Sequence, residues 1–311
     1  MPSTRDIRRR IRSITNTQQI TKAMQMVAAA KMRKAQEAAL RTRLYAKKAL
    51  SLLSDLSLKT NLELHPLLRK VENKKVLLIL VTTDKGLCGG LNVNIFKKAI
   101  NFVQEQIKNG REVEFICVGK KGRDFMQRHG FKIIAEFLDF GDKFNLLDMS
   151  AVAQIPLQEH RKKTYSKIYL LYTDFLSTLR YEPCLRQLLP IEREELIKLS
   201  ELGKNIKSSV FRDREKKVID KTDKKKKGFE YIFEPSADEV LEVLLPRLCE
   251  MQIYQAVLES NASEHSSRMV TMKNATDAAG DIIADLQLTF NQARQAAITR
   301  EIAEISAGSL K

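Results

Sequence analysis

The stretch Thr82-Thr-Asp-Lys-Gly-Leu-Cys-Gly-Gly-Leu-Asn92 has the residue types of a phosphate cradle. It follows a run that reads as a strand and precedes one that reads as a helix, where glycine-rich turns offer backbone N–H groups to anions. It lacks the Gly-Lys-Ser/Thr end of a P-loop, and Gly86, Gly89 and Gly90 do not make a GxGxxG. It therefore reads first as a tight turn, and an enzyme built on it is the remotest reading, tested by nucleotide binding to the isolated chain. The histidines His65, His129, His160 and His265 are dispersed, and no Ser/His/Asp or paired-carboxylate set suggests itself. Cys88, Cys117, Cys184 and Cys249 form no CxxC or Cys/His ligand group, so they read as free thiols of a reducing cytoplasm. Basic runs at Arg5–Arg12 and Lys224–Lys227 could meet phosphates, but no aromatic interleaving accompanies them, and solvated helix faces are the favoured reading. Arg268, Arg294, Gln295 and Thr299 are the remaining polar groups of interest. They lie close to an alanine-rich helical seam, either as surface decoration or as groups offered to other proteins.

Two long terminal segments must position these residues. From Ser3 to about Thr60 there is no Gly or Pro, and a helix of that length extends on the order of 85 Å. Its apolar residues fall at Ile7, Ile11 and Ile14, then Ile20, Met24 and Val27, then in a strict four-three repeat from Ala28 through Met32, Ala35, Ala39 and Thr42 to Leu56. The phase is expected to slip around Asn16–Gln19, where no apolar residue holds the seam. At the other end, Ser236-x-x-Glu239 is a capping-box signature that starts a helix interrupted only by Pro246, Gly280 and Gly308. Pro246 should kink that helix or delay its start. Its seam is expected at Ala275, Ala279, Ile282, Leu286, Thr289, Ala293 and Ala296, a stripe that another helix must cover. The chain's first helix is the available partner. Residues 1–60 carry a net +11 and residues 236–311 a net −5, so the two ends attract.

Between them the texture changes to short apolar runs alternating with helical stretches. Strands are expected at Val76–Val81, Glu112–Val118, Lys132–Leu138, Lys167–Thr173 and Cys184–Ile191. Helices are expected at Asn94–Lys108, at Lys120–His129 and from about Leu146. The fold class is thus α/β: a Rossmann-like domain with an open mixed sheet at residues 67–235, set between helices at 1–60 and 236–311. The charge-dense tract 192–228, net +5, reads as a solvated, mobile insertion, with a last strand expected at Phe229–Glu234. No apolar run approaches the roughly 18 residues of a membrane span, and the basic start lacks the apolar stretch of a secretory signal.

Three motifs carry a resemblance. Ile14-Thr-Asn-Thr-Gln-Gln-Ile-Thr-Lys-Ala-Met-Gln-Met-Val, Thr83-Asp-Lys-Gly-Leu-Cys-Gly-Gly-Leu-Asn, and Ala262-Ser-Glu-His-Ser-Ser-Arg-Met-Val-Thr-Met-Lys-Asn-Ala-Thr-Asp with Gln287-Leu-Thr-Phe-Asn-Gln-Ala-Arg-Gln-Ala-Ala-Ile-Thr-Arg-Glu-Ile closely resemble the gamma subunit of F-type ATP synthases. The resemblance implies that the terminal helices wind into an antiparallel coiled coil. It further implies a noncatalytic rotor shaft, without cofactor, metal or small-molecule substrate of its own, working at the cytoplasmic face of a bacterial inner membrane as a peripheral subunit. The partners it implies are three alpha and three beta subunits, the epsilon subunit and the membrane c-ring. Carried over position by position, Arg268 and Gln295 match polar catch contacts with a beta subunit, with Arg294 and Thr299 as neighbours. Met24 matches a position facing an acidic loop of beta, with Lys22 beside it, and Tyr231 and Glu234 match residues that meet the membrane ring. The tract 192–228 stands where chloroplast-type relatives carry a regulatory thiol pair, but it contains no cysteine, so dithiol control is not expected. The rival reading, a basic coiled-coil protein that binds nucleic acid, would show binding that falls steeply with salt.

Overall fold

The run Lys75–Val81 (β1) is buried at every position after its first. A strand with no solvent-facing side belongs in the middle of a sheet covered on both faces, and β1 sits there. The computed structural model describes residues 3–56, 65–140, 145–191 and 236–308. In it β1 pairs in parallel with β2 (Glu112–Val118) on one side and β4 (Lys167–Phe175) on the other. Outside β2 lies parallel β3 (Ile133–Phe137), and outside β4 lies antiparallel β5 (Tyr181–Leu189), giving the order β3-β2-β1-β4-β5. The period-two alternation of β1 divides the core. Val76, Leu78 and Leu80 pack with Ile95, Ala99 and Phe102 of α2 (Leu91–Lys108) and Met126 of α3 (Lys120–Arg128). Leu77, Ile79 and Val81 face the opposite way, into a cluster with Met149, Val152 and Ala153 of α4 (Leu146–Arg161) and with Leu241, Leu245, Leu248 and Ile253 of α5 (Ala237–Gly308). Within the described residues the expected elements are present with shifted ends: α2 begins three residues before Asn94, and β5 runs Tyr181–Leu189 rather than Cys184–Ile191. The strand expected at 229–234 and the tract 192–228 lie outside the described residues.

A buried charge cluster ties the first three strands at their N-terminal side. Glu114, almost wholly buried, accepts from Tyr165 Oη at 2.5 Å, Lys132 Nζ at 2.9 Å and Lys75 Nζ at 3.1 Å. Burial alone would push this carboxyl up, but the three donors overrule it and hold it at about 2.

The start of α5 is not delayed by Pro246. Ser236 accepts from Glu239 N–H at 3.2 Å and donates to the Glu239 carboxylate at 3.2 Å, and the helix runs on through the proline. Leu245, Leu248 and Cys249, all buried around Pro246, hold this stretch against the sheet despite the lost backbone donor.

The chain divides into two compact units, Lys31–Ser267 with the sheet, and Met1–Ala30 with Arg268–Lys311. In the second unit α1 (Thr4–Leu56) and α5 run antiparallel, since Thr21 meets Thr276 while Arg8 lies over Phe290. The covered residues on α1 trace an unbroken four-three repeat through Ile7, Ile11, Ile14, Gln18, Thr21, Gln25 and Ala28. The phase slip expected at Asn16–Gln19 is therefore absent. Polar residues hold the seam there, and the expected seam residues Ile20 and Val27 are 60% and 53% exposed. On α5 the covered line is Met272, Thr276, Ala279, Ile283, Leu286, Phe290 and Ala293. Ala279, Leu286 and Ala293 stand as expected, whereas exposed Ile282 and Thr289 give way to Ile283 and Phe290. Hydrophobicity cannot choose between neighbours such as Ile282 and Ile283; the partner helix does.

Candidate functional site

The strand order reverses between β1 and β4, and the crevice beyond the carboxyl ends of such strands is where doubly wound sheets bind nucleotides. Here the chain fills that crevice itself. The N–H groups that open α3 are all taken by the segment after β1: Lys120 N–H donates to Asp84 Oδ1 at 2.9 Å, Lys121 N–H to Thr83 O at 3.0 Å and Gly122 N–H to Thr82 Oγ1 at 2.9 Å. Gly119 (φ 103°) makes this approach possible, because a Cβ there would lie 2.2 Å from Thr82 O. The glycine-rich turn closes on itself as well. Asn92 Nδ2 donates to Thr83 Oγ1 at 2.8 Å, and Thr83 Oγ1 donates to Lys85 O at 2.7 Å. From the other side α5 presents serines spaced along one face. Thr173 N–H donates to Ser260 Oγ at 3.1 Å, Ser263 donates to Thr173 O, Ser266 to Thr178 O, and Ser267 to Cys88 O at 2.6 Å. What remains is a cavity of about 40 Å³ lined by Thr82, Thr83, Asp84, Ser260, Asn261 and Glu264 among others, water-sized rather than nucleotide-sized. The Thr82–Asn92 segment is thus a turn that closes on itself and on α3, and it seats α5 through Ser267.

The residues carried over by resemblance as beta-subunit contacts sit in the helix-pair unit and do not form one site. Arg268 and Gln295 stand 27 positions apart on α5, about 40 Å along the helix. Lys22 is exposed and Met24 half-buried on α1, beside the seam residues Thr21 and Gln25. Arg294, Gln295 and Thr299 are exposed, while Arg268 is only 9% exposed within the isolated chain. Tyr231 and Glu234 lie outside the described residues. One arginine of the basic start has an intrachain role, the Arg8 guanidinium lying 5.3 Å from the centre of the Phe290 ring.

The seam itself is held partly by hydroxyls. Thr21 Oγ1 and Thr276 Oγ1 are 2.8 Å apart, and Gln18 Nε2 donates to Thr276 O at 3.3 Å. Although the seam is partly apolar, further large apolar side chains point outward. Ile20, Met26 and Val27 on α1 and Ile282, Leu288, Ile298, Ile302 and Ile305 on α5 are all exposed. Leu288, Gln295 and Ile302 recur every seven residues, with Ile298 and Ile305 filling the same stripe, so Gln295 stands in the middle of an outward apolar line. The register set by Thr21 and Thr276 brings Thr4, where α1 begins, level with Ala293, and the stripe continues beyond it to Ile305. This outward set was not read from the sequence. Its signal was a surplus of apolar residues over what one seam can hold, as in Ile282-Ile283 and Val27-Ala28.

Comparison with known proteins matches this arrangement along almost the whole chain. A family model described as ATP synthase matches residues 3–310. The chain is 43% identical to an ATP synthase gamma chain of Pelotomaculum thermopropionicum, covering 99% of each, and 41% identical to that of Chloroflexus aurantiacus, covering 99% of this chain and 98% of the relative. Among solved structures it resembles a chain of the Tetrahymena thermophila mitochondrial ATP synthase central stalk and c-ring (25% identity, TM-score 0.56, 82% of this chain and 99% of that one). It shares its fold with a chain of the Euglena gracilis mitochondrial enzyme in rotational state 3 (18% identity, TM-score 0.62, 99% and 93% covered). A match of this extent, on a chain whose nucleotide crevice is filled by its own helix, settles the assignment: the chain belongs to the ATP synthase gamma chain family.

Proposed function

We propose that this chain is the central rotor shaft of a proton-translocating F-type ATP synthase. It couples ion-driven rotation of the membrane c-ring to ATP synthesis in a hexamer of three alpha and three beta subunits, and it catalyses nothing itself. The observation that carries this reading is the outer face of the helix pair: the seam already holds its own apolar residues together with Gln18, Thr21, Gln25 and Thr276, yet Ile20, Met26, Val27, Ile282, Leu288, Ile298, Ile302 and Ile305 stand exposed outside it. A solvated two-helix hairpin would carry polar residues on that face, so it calls for an apolar sleeve around it. Polar groups within such a face then act as switchable contacts. Arg268, Gln295, Arg294, Thr299, Met24 and Lys22 are assigned to the beta subunits, and Tyr231 and Glu234 to the ring. Shaft orientation shifts a beta subunit only insofar as these groups bind one of its conformations better than another. Hydrogen bonds and single charges, individually modest, break and re-form at each step without arresting the shaft. The self-filled crevice supports the noncatalytic role. Among the described residues no helix is long and apolar enough to cross a membrane, which suits a peripheral subunit on the cytoplasmic face of a bacterial inner membrane, with the epsilon subunit as a further partner.

The test is co-purification with alpha and beta subunits, followed by ATPase assay with and without this chain. Gln295→Ala should lower turnover of the complex while leaving the folding of the free chain unchanged. Arg268→Ala, at a residue buried within its own chain, should add a loss of stability. Absence of a complex would overturn the shaft reading, and unchanged activity in the double variant would overturn the contact assignment.

A further inference from the structure

We infer that Thr21, Thr276 and Gln18 form a register key that fixes the axial alignment of α1 and α5, and so positions Lys22 and Met24 relative to Arg268. The positioning half of this inference rests on the shaft reading; the alignment half does not.

The aliphatic part of the seam cannot set the alignment alone. The constant register places Ile7, Ile11 and Ile14 level with Phe290, Leu286 and Ile283. A slide of one heptad toward the Arg268 end of α5 would set Ile14 level with Thr276 and Ile11 level with Ala279, and a slide the other way would set Ile14 level with Phe290. The second of these still pairs apolar with apolar, so nonpolar burial, which has no direction, discriminates poorly. The polar residues discriminate sharply. In the observed register the two hydroxyls meet at 2.8 Å, Thr21 can also donate to Gln18 O at 3.0 Å and Thr276 to Met272 O at 2.8 Å. Two protons thus serve three short contacts, and one hydroxyl gives its proton to the other helix. Gln18 reaches across to Thr276 O directly over Gly280, where an added Cβ would lie 3.2 Å from its Nε2. In the slide that keeps Ile14 against an apolar partner, Thr21 would stand level with Ile283 and Thr276 level with Ala28, leaving both threonines without their cross-helix partner. A polar residue in an otherwise apolar seam is the known means by which helix pairs reject wrong registers.

The consequence for function is geometric. Lys22 follows Thr21 by one residue, Met24 by three, and Arg268 precedes Thr276 by eight. A one-heptad slip would move Arg268 about 10 Å along the axis relative to Lys22 and Met24, far more than a hydrogen-bonded contact tolerates.

The experiment replaces both threonines by valine, which keeps shape and fills the seam, or both by serine, which keeps the hydroxyl. Spin labels at Arg5→Cys and Asn274→Cys, both exposed, are placed on the full chain carrying Cys184→Ser, since Cys88, Cys117 and Cys249 are buried. Pulsed electron-spin distances should give one population in the parent and in the serine pair. The valine pair should show a second population displaced by about 10 Å. In the reconstituted complex the valine pair should lose ions pumped per ATP hydrolysed, with recovery in the serine pair. A single unshifted distance in the valine pair overturns the key. A shifted distance with undiminished coupling overturns its positioning role. A parent chain that assembles no coupled complex would count against the shaft reading and leave the distance result standing.

Discussion

Glu114→Gln gives the sharpest physical test of the sheet unit. The carboxylate is 3% exposed and takes hydrogen bonds from Tyr165, Lys132 and Lys75, which lower its pKa from 4.5 to about 2 against the opposing effect of burial. A depression of that size corresponds to about 3 kcal/mol of folding free energy at neutral pH. The two lysines are 37% and 62% exposed and recover hydration when released, so about 2 kcal/mol is the expected loss. Glutamine keeps an acceptor for the buried Tyr165 hydroxyl, so the variant should fold. The sign follows from the depressed pKa: the stabilisation is complete above about pH 4.5, where the unfolded carboxyl is also ionised, and it is lost as pH falls toward 2. The gap in stability between parent and variant should shrink to less than half by about pH 3. Urea unfolding of the full chain at neutral pH, near pH 4.5 and near pH 3, followed by circular dichroism and tyrosine fluorescence, measures it. An identical urea midpoint at neutral pH would refute the energetic reasoning, and a gap that persists undiminished at about pH 3 would refute the assignment to this carboxylate.

Two further outcomes follow from burial alone. Leu288→Asn with Ile302→Asn, at positions 63% and 59% exposed, should change the stability of the free chain by less than about 0.5 kcal/mol, yet abolish or weaken its recovery with alpha and beta subunits in a pull-down; a free chain that unfolds would refute the outward placement. Burial pushes the thiols of Cys117 and Cys249 up to about 12 and raises that of Cys184 as well, so Cys184, the one cysteine of the four that is only half-buried, should be modified first by a thiol reagent at about pH 8, as read by mass spectrometry of the native chain. Rapid modification of Cys117 would contradict its buried place on β2.

The elements of this protein were legible from the sequence because their signals are local. The short strand-forming runs Val76–Val81 and Glu112–Val118, the Ser236–Glu239 cap and the glycine-free first helix each depend on residues close in the chain. The resemblance rested likewise on contiguous motifs such as Ala262–Asp277. Which side of each helix faces its partner was not local. Thr21 occupies the seam where Thr276, 255 residues away, supplies a second hydroxyl, and its neighbour Ile20 faces outward. The same holds for the Thr82–Asn92 turn. Its composition allowed a phosphate cradle or a tight turn, and the choice was made by Thr82, Thr83 and Asp84 closing on α3 and by Ser267 reaching Cys88 O from 179 residues along the chain. Sequence alone determined that two long helices flank an α/β sheet, because propensity and periodicity are properties of a segment. The tertiary structure decided which polar groups are spent inside the chain and which face outward for partners, because a hydrogen bond across the fold has no signature in the residues beside it.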